Sequence, residues 1–179
     1  MKRSAMALAI CSALLVAGPA MTAEVPKYVD GVVTAVDNPE ALFTSTDPKL
    51  HKNKQAAYNI IKVLLEAGHW ERANEFLTER YLQHNPRAKS GRDTVVKFFT
   101  ETLKMKPRPI PEKMQTKVVS VVAEGDYVIV TFPRHYKDPK DPSKTFYTTW
   151  FDMWRFVDGK ADEHWDSEMM ANLENAPAK

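Results

Sequence analysis

The spacing of hydrophobic residues follows a helical period in the first half of the chain. Apolar side chains between residues 52 and 67 recur at the i, i+3, i+4 and i+7 positions that form one stripe on a helix, and Gly68 follows as a stop signal. A second, shorter helix is predicted over residues 70–78. A third is predicted over Ser90–Leu103, with Ser90 and Asp93 as a capping pair.

From residue 114 onward the period becomes two, which is typical of strands. Four strands are predicted, over residues 114–123, 127–135, 146–157 and 160–167. Because the helices come first and the antiparallel strands follow in one run, the pattern indicates an α+β domain rather than an alternating α/β domain. The whole chain is expected to divide into a signal peptide (1–23), an extended lead-in with one short turn (24–49), the α+β domain (50–172) and a flexible tail (173–179).

The N-terminus has the three parts of a secretory signal peptide. Lys2 and Arg3 precede an uncharged apolar run of 13 residues, and small residues follow, with cleavage expected after Ala20 or Ala23. The run is shorter than the ~20 residues that span a bilayer, which favours a cleaved signal over an uncleaved membrane anchor. Cys11 lies in the middle of this run without the small preceding residue of a lipoprotein signal. The sequence therefore predicts a periplasmic or secreted protein.

Removal of the signal peptide changes the charge balance. Lys+Arg falls from 25 to 23, equal to the 23 Asp+Glu, and the single cysteine is lost. A neutral domain lacks the broad positive field that attracts nucleic acids and anionic membranes, so neither nucleic acid nor stable membrane insertion is expected. Without cysteine, disulfides and thiolate chemistry are excluded from the mature domain.

The last predicted hairpin carries the most informative polar residues, Asp152, His164 and Asp166. A three-residue loop over 157–159 would pair Asp152 with His164 and Trp150 with Asp166, and would place all of them on one face of the sheet. The register of this hairpin is therefore a direct test of the site.

The alternative register follows from a two-residue loop at Asp158-Gly159, which is also a favoured hairpin turn. It would pair Asp152 with Trp165 and turn Asp152 away from Asp166. The sequence leaves the two registers open.

A carboxylate among aromatic rings is a candidate general base, because partial desolvation makes it more basic. The candidate catalytic residues are Asp166, His164, Asp152 and His84. The candidate ligand-binding side chains are Tyr81, Asn85, Trp150 and Trp154, of which the two tryptophans are alternatively core residues. The plainer interpretation is that these Asp and His residues are ordinary side chains of a half-exposed sheet, and that the segment 84–86 is a turn.

A metal site is a further alternative. His84, Asp152, His164 and Asp166 together offer the mixed imidazole and carboxylate ligands that suit divalent transition metals. The sequence holds no spaced ligand motif such as H-E-x-x-H. No metal or other cofactor is therefore expected.

Five short stretches occur in an informative order along residues 52–170. They are Tyr81–Pro86, Gly91-Arg92, Asp152–Phe156, Asp158–Lys160 and Glu163–Asp166. Taken together they resemble the SnoaL-like group of the nuclear transport factor 2-like superfamily. The resemblance implies a curved antiparallel sheet wrapped on about three N-terminal helices, which forms a cone or half-barrel with an apolar pocket.

The same resemblance implies acid/base chemistry without metal or cofactor, since the group includes polyketide cyclases that catalyse intramolecular aldol condensation. Carried over by position, Asp166 is the general acid/base, and His164 matches a histidine of the closing motif. His84 or Asn85 falls near a polar pocket residue that follows the second helix. Asp152 stands where the cyclases have a pocket histidine, so this partner differs in kind.

Two functions remain as alternatives. The first is an exported acid/base enzyme of lyase, isomerase or cyclase type that acts on a small apolar or aromatic carbonyl compound. The second is a non-catalytic protein of the cell envelope that binds such a ligand. The resemblance also implies a homodimer formed through the sheet, with Phe151, Met153 and Val157 as the candidate face, unless that face packs on the helices.

Overall fold

A computed structural model describes residues 31–138 and 140–168 of the chain. The predicted signal peptide and the predicted tail lie outside these residues, as do the first residues of the lead-in. The short turn expected in the lead-in corresponds to a 3-10 turn over Pro39–Phe43, whose last two residues are buried.

The first long helix, α1, spans Pro48–Asn59 and continues as a π-helix over Ile60–Glu66. It begins four residues before the predicted start, because the Asp47 side chain caps it by accepting from the backbone N–H groups of Lys49 and Leu50 at 2.8 and 2.9 Å. Gly68 follows at a positive φ of 77°, as the stop signal predicted. Within the described part of the chain, no helix combines the length and the apolar character that crossing a bilayer requires.

The second predicted helix is right only in its first half. A 3-10 turn over Trp70–Arg72 leads into a single helical turn, α2, over Ala73–Phe76. The chain then becomes extended over Leu77–Gln83 and forms a strand, β1, that the helical spacing did not indicate. Tertiary pairing therefore overrides local propensity at this point.

The third helix, α3, spans Arg92–Lys97 and continues as a π-helix over Phe98–Thr102. The predicted capping pair of Ser90 and Asp93 is wrong, since Gly91 occupies the N-cap position and no side chain caps the helix. The Ser90 hydroxyl instead accepts a hydrogen bond of 3.0 Å from the backbone N–H of Gln83. Ser90 thus accepts a hydrogen bond from the last residue of β1 instead of capping the helix.

Five strands form one sheet in the order β1-β5-β4-β3-β2. The other four strands are β2 (Ser120–Glu124), β3 (Tyr127–Lys137), β4 (Thr145–Val157) and β5 (Lys160–Asp166). These four pair antiparallel, as the sequence predicts, while β1 adds a parallel edge against β5. The α+β fold class with about three helices on a curved sheet is confirmed.

The core lies between the helices and one face of the sheet, which we call the inner face. Its most deeply buried side chains come from both layers, and they include Phe43, Ile61, Leu64, Val128, Val130 and Trp154. The opposite, outer face exposes Phe151 and Val157. The alternative in which these residues pack on the helices is therefore wrong.

The β4–β5 hairpin turns through two residues. Asp158 and Gly159 have φ values of 51° and 84°, the double left-handed conformation of a type I′ turn, so that Val157 pairs with Lys160. The three-residue loop over 157–159 is therefore wrong, and the two-residue alternative describes the turn itself.

Two residues beyond the turn the register shifts. Phe156 pairs with Ala161, but the next residue, Arg155, pairs with Glu163, which leaves Asp162 as an extra residue in a β-bulge. Because side chains alternate between faces, the extra residue exchanges the faces of everything that follows it in β5. It is the bulge, and not the turn, that determines where the polar residues of β5 point.

Beyond the bulge, Trp154 pairs with His164 and Asp152 pairs with Asp166. Both predicted sets of pairs, Asp152 with His164 or with Trp165, are wrong. The consequence drawn from the first set nevertheless holds, because Asp152, His164 and Asp166 share the inner face.

Candidate functional site

A cavity of about 670 Å³ lies between the inner face and the helices. Its apolar wall includes Leu64, Trp70, Phe99 and Phe132, with the rings of Trp70 and Phe99 stacked at a centroid distance of 3.9 Å. Its polar end is formed by β1, β4 and β5. The volume suits a small organic molecule that buries most of its surface.

Three ionisable side chains meet at the polar end of the cavity: Asp152, His164 and Asp166. Each offers one donor atom, and these three atoms lie within 4.8 Å of one another. The Nε2 atom of His164 is 3.4 Å from Oδ1 of Asp152, and their side chains are only 10 % and 13 % exposed. We call these three residues the Asp–His–Asp cluster.

Each member of the cluster is held by a different uncharged side chain. The indole N–H of Trp150 donates to Oδ1 of Asp152 at 2.9 Å, and the side-chain amide of Asn85 donates to Oδ2 of Asp166. Oε1 of Gln83 lies 2.6 Å from Nδ1 of His164. Trp150 and Asn85 donate and Gln83 accepts, so these uncharged side chains orient the cluster without bringing a cation to its two carboxyl groups.

Tyr81 and Trp154 form the buried base of the cluster. The indole N–H of Trp154 donates to the Tyr81 hydroxyl oxygen at 3.2 Å, and both side chains are almost fully buried. Burial is the main cause that raises the pKa of Tyr81, and the nearby carboxylates of Asp152 and Asp166 raise it further. The hydroxyl therefore stays neutral at physiological pH.

The predicted ligand-binding residues Tyr81, Asn85, Trp150 and Trp154 all line the cavity. Trp154 is at the same time a core residue, with 1 % of its surface exposed, whereas Trp150 is only half-buried. The core interpretation is thus confirmed at Trp154, whose ring also lines the cavity, and ligand binding by the two tryptophans stays a prediction.

His84 is the one predicted catalytic residue that the structure places elsewhere. It lies on the outer face, where its ring stacks on Trp165 at 4.5 Å and its Nε2 atom is 3.1 Å from Oε2 of Glu163. The physical reason is that the alternation of β1 continues past its last residue, Gln83, so that Gln83 and Asn85 point into the cavity and His84, between them, points out. A four-ligand metal site that includes His84 is therefore wrong. Among the residues that the structure describes, the Asp–His–Asp cluster is the one group of three such side chains whose donor atoms lie close together.

Gln83 is the residue of the site that sequence reasoning missed. The signal was the alternation of Tyr81, Gln83 and Asn85, which a strand places on one face. It was obscured because the apolar residues before it fit a helix, and because a parallel partner 80 residues away cannot be inferred from local spacing.

Residues 59–164 match the family model described as a SnoaL-like domain. Among curated proteins, none matches the chain.

Several solved structures are similar to the chain at low sequence identity. One carries the name polyketide cyclase, from Acidithiobacillus ferrooxidans, with 15 % identity, a TM-score of 0.47, and coverage of 69 % of this chain and 90 % of that one. A SnoaL-like polyketide cyclase by name, from Jannaschia sp. CCS1, has 16 % identity, a TM-score of 0.49, and coverage of 74 % and 96 %. An NTF2-like protein of unknown function from Burkholderia pseudomallei has 15 % identity, a TM-score of 0.48, and coverage of 68 % and 94 %.

Proposed function

The chain belongs to the SnoaL-like domain family, and from that premise we propose that it binds a small, largely apolar carbonyl compound in its cavity and transfers a proton on it. The observation that carries the proposal is the Asp–His–Asp cluster at the end of an otherwise apolar cavity. Ionisable groups that are nearly buried in a cavity, close together and not neutralised by arginine or lysine are typical of acid/base sites.

The proposed step is the removal of a proton from the carbon next to the carbonyl group. The Asp166 carboxylate takes the proton, the electron pair of the C–H bond forms a carbon–carbon double bond, the π pair of the C=O bond moves to the oxygen, and an enolate results. His164 donates a hydrogen bond to the enolate oxygen from Nε2. The enolate then takes back a proton, as an isomerase requires, or attacks a second carbonyl carbon, as an aldol cyclisation requires. A positioned base contributes roughly 10²–10⁴-fold to such a step.

Proton exchange provides the test without knowledge of the natural substrate. Aryl methyl ketones and aromatic β-diketones are incubated with the protein in D₂O, and deuterium incorporation next to the carbonyl is followed by NMR. We expect exchange with the wild type, and exchange that is about 10²–10⁴-fold slower in Asp166→Asn, with ligand affinity measured by tryptophan fluorescence changed less than about threefold.

His84→Ala is the matched control, since it removes a predicted catalytic residue whose ring lies on the outer face, outside the cavity. Its exchange rate should equal that of the wild type. If the ketones bind but no exchange is seen with any of them, proton transfer is refuted and the non-catalytic ligand-binding function replaces it.

Export is part of the same proposal. It is supported by the charged start, the apolar run and the small residues of the first 23 positions. Intact-mass measurement of the protein recovered after expression in a bacterial host is expected to show the loss of 20 or 23 N-terminal residues. A mass that retains these residues would contradict it.

A homodimer through the outer face also remains a proposal. The outer face exposes a group of large apolar side chains, among them Tyr127, Tyr147, Phe151 and Val157. Exposed apolar clusters of this kind favour association. Sedimentation equilibrium is expected to give twice the chain mass, and Phe151→Lys is expected to return it to that of one chain.

A further inference from the structure

We propose that Gln83 is a positioning residue that fixes which ring nitrogen of His164 carries the hydrogen, so that Nε2 donates a proton into the cavity only from the positively charged ring. The effect of Gln83 on catalysis rests on the proposed function, whereas the position of the hydrogen on the His164 ring depends on the geometry of Gln83 alone.

Gln83 is held on both sides. In the parallel pairing of β1 with β5 it is the direct partner of His164. Its own backbone N–H donates to the Ser90 hydroxyl at 3.0 Å, and the next backbone N–H, of His84, donates to the carbonyl oxygen of His164 at 2.9 Å. The side chain therefore has a fixed starting point from which its amide oxygen reaches Nδ1 of His164 at 2.6 Å.

The chemistry of an amide oxygen decides the hydrogen position. An amide oxygen only accepts, so the hydrogen of this short contact belongs to Nδ1 of His164. In the neutral ring the other nitrogen, Nε2, then carries a lone pair, which faces Oδ1 of Asp152 at 3.4 Å. Two lone pairs repel each other, and a proton on Nε2 removes this repulsion.

Two carboxyl groups lie beside the ring. Asp152 and Asp166 are direct cross-strand partners, and like charges in that position are unfavourable unless a cation lies near both. When the His164 ring takes up a proton, it supplies such a cation within the same 4.8 Å group. Hydrogen bonds from a charged donor are roughly twice as strong as those between neutral groups. The ring is thus prepared to stabilise negative charge that develops on a bound carbonyl oxygen.

Two substitutions separate this role from mere packing. Gln83→Glu keeps an oxygen that can only accept, whereas Gln83→Met keeps the length of the side chain and removes the acceptor. The readout is the long-range ¹H–¹⁵N spectrum of the His164 ring in the ligand-free protein, assigned by its disappearance in His164→Asn. We expect a hydrogen on Nδ1 in the wild type and in Gln83→Glu, and a mixture of the two ring forms in Gln83→Met.

The exchange assay gives the second readout. Gln83→Met should lower the rate constant at saturating ketone roughly 10–100-fold with little change in half-saturation, since a misplaced group costs rate rather than affinity. Gln83→Glu should restore most of that loss. If Gln83→Glu behaves like Gln83→Met in both readouts, or if the neutral wild-type ring carries its hydrogen on Nε2, the inference is overturned. Retention of exchange by Asp166→Asn would refute the proposed function instead, and the ring spectrum would still decide the role of Gln83.

Discussion

The two faces of the β4–β5 hairpin each carry a group of ionisable residues, and the two groups differ in the side chains that hold them. On the outer face, Asp162 and Glu163 contact the guanidinium groups of Arg80 and Arg155. On the inner face, no arginine or lysine of the described residues forms an ion pair with the Asp–His–Asp cluster, which is held from outside by the uncharged side chains of Trp150, Asn85 and Gln83 and by the backbone N–H of Glu168.

The outer group is a structural ion-pair network. The Asp162 side chain is 6 % exposed and accepts hydrogen bonds from Thr78 at 2.8 Å and from Arg80 and Arg155. The bonds from Arg80 are the largest cause that lowers the pKa of Asp162 to about 2. A carboxylate held in this way stays ionised and cannot exchange protons near neutral pH.

The comparison shows how one hairpin separates stability from chemistry. Fixed cations remove proton affinity from the outer carboxylates, and the same contacts connect β1, β4 and β5. The neutral side chains at the inner cluster set its orientation and bring no fixed positive charge to its carboxylates. Both groups contain largely buried ionisable side chains, so burial does not distinguish them. The identity of their hydrogen-bond partners does.

The largest expected effect comes from breaking the outer network. Asp162→Asn leaves Arg80 and Arg155 with Glu163 as the remaining carboxylate that they share, and we expect the free energy of unfolding to fall by about 3 kcal/mol, near the lower end for a buried ion pair broken on one side. Urea unfolding monitored by tryptophan fluorescence measures it. Asp166→Asn is the matched inner-face variant, and a loss as large there would contradict the division between the two faces.

Low pH should also destabilise the fold, by protonating Asp162. The folded-state pKa of Asp162, about 2, lies below its ordinary value of 3.8, so its contribution is complete above about pH 4 and is lost as the pH falls toward 2. The loss amounts to ~2 kcal/mol. Unfolding curves recorded between pH 5 and 2 should show this component in the wild type, and it should be missing in Asp162→Asn.

A smaller effect is expected at the inner cluster. Trp150→Phe keeps an aromatic ring and removes the N–H that donates to Asp152, which should cost about 1 kcal/mol of unfolding free energy. Trp165→Phe, on the outer face, is the control. A loss above that of Asp162→Asn would mean that neutral donors support the fold as strongly as the arginines do.

His84→Ala should have the smallest effect. The His84 side chain is 40 % exposed, and the substitution removes one contact with Glu163 and one stacking interaction with Trp165. We therefore expect the free energy of unfolding to fall by about 0.5 kcal/mol. Calorimetric melting measures the change. A large loss of stability would show that His84 belongs to the outer network as a principal member.

The fold was largely predictable because its long elements have clear periods. The apolar stripe before Gly68 and the aromatic alternation of β4 identify a helix and a strand without ambiguity. The strand β1 was not predictable, since its only partner in the sheet lies some 80 residues later in the chain and pairs parallel. Residues 70–78 also fit a helical stripe, so local spacing favoured the wrong element there.

The site was predictable in membership but not in geometry. Asp152, His164 and Asp166 were identified from the hairpin, and the structure brings them together. Their pairing was not predictable, because no local signal marks the extra residue at Asp162. His84 was placed wrongly and Gln83 overlooked for one shared reason, the undetected β1.

The bulge at Asp162 has a consequence for how this gene can change. Loss of the codon for Asp162 would close the bulge, but Glu163 would still lie opposite Arg155 and His164 opposite Trp154, so the inner cluster would keep its direction. The arginines of the outer network would lose one of the two carboxylates that they share. Loss of the codon for Trp165 would instead place Asp166 opposite Met153 and turn it to the outer face. A deletion at the bulge should therefore reduce stability and spare the site, whereas a deletion two or three residues later should destroy the site.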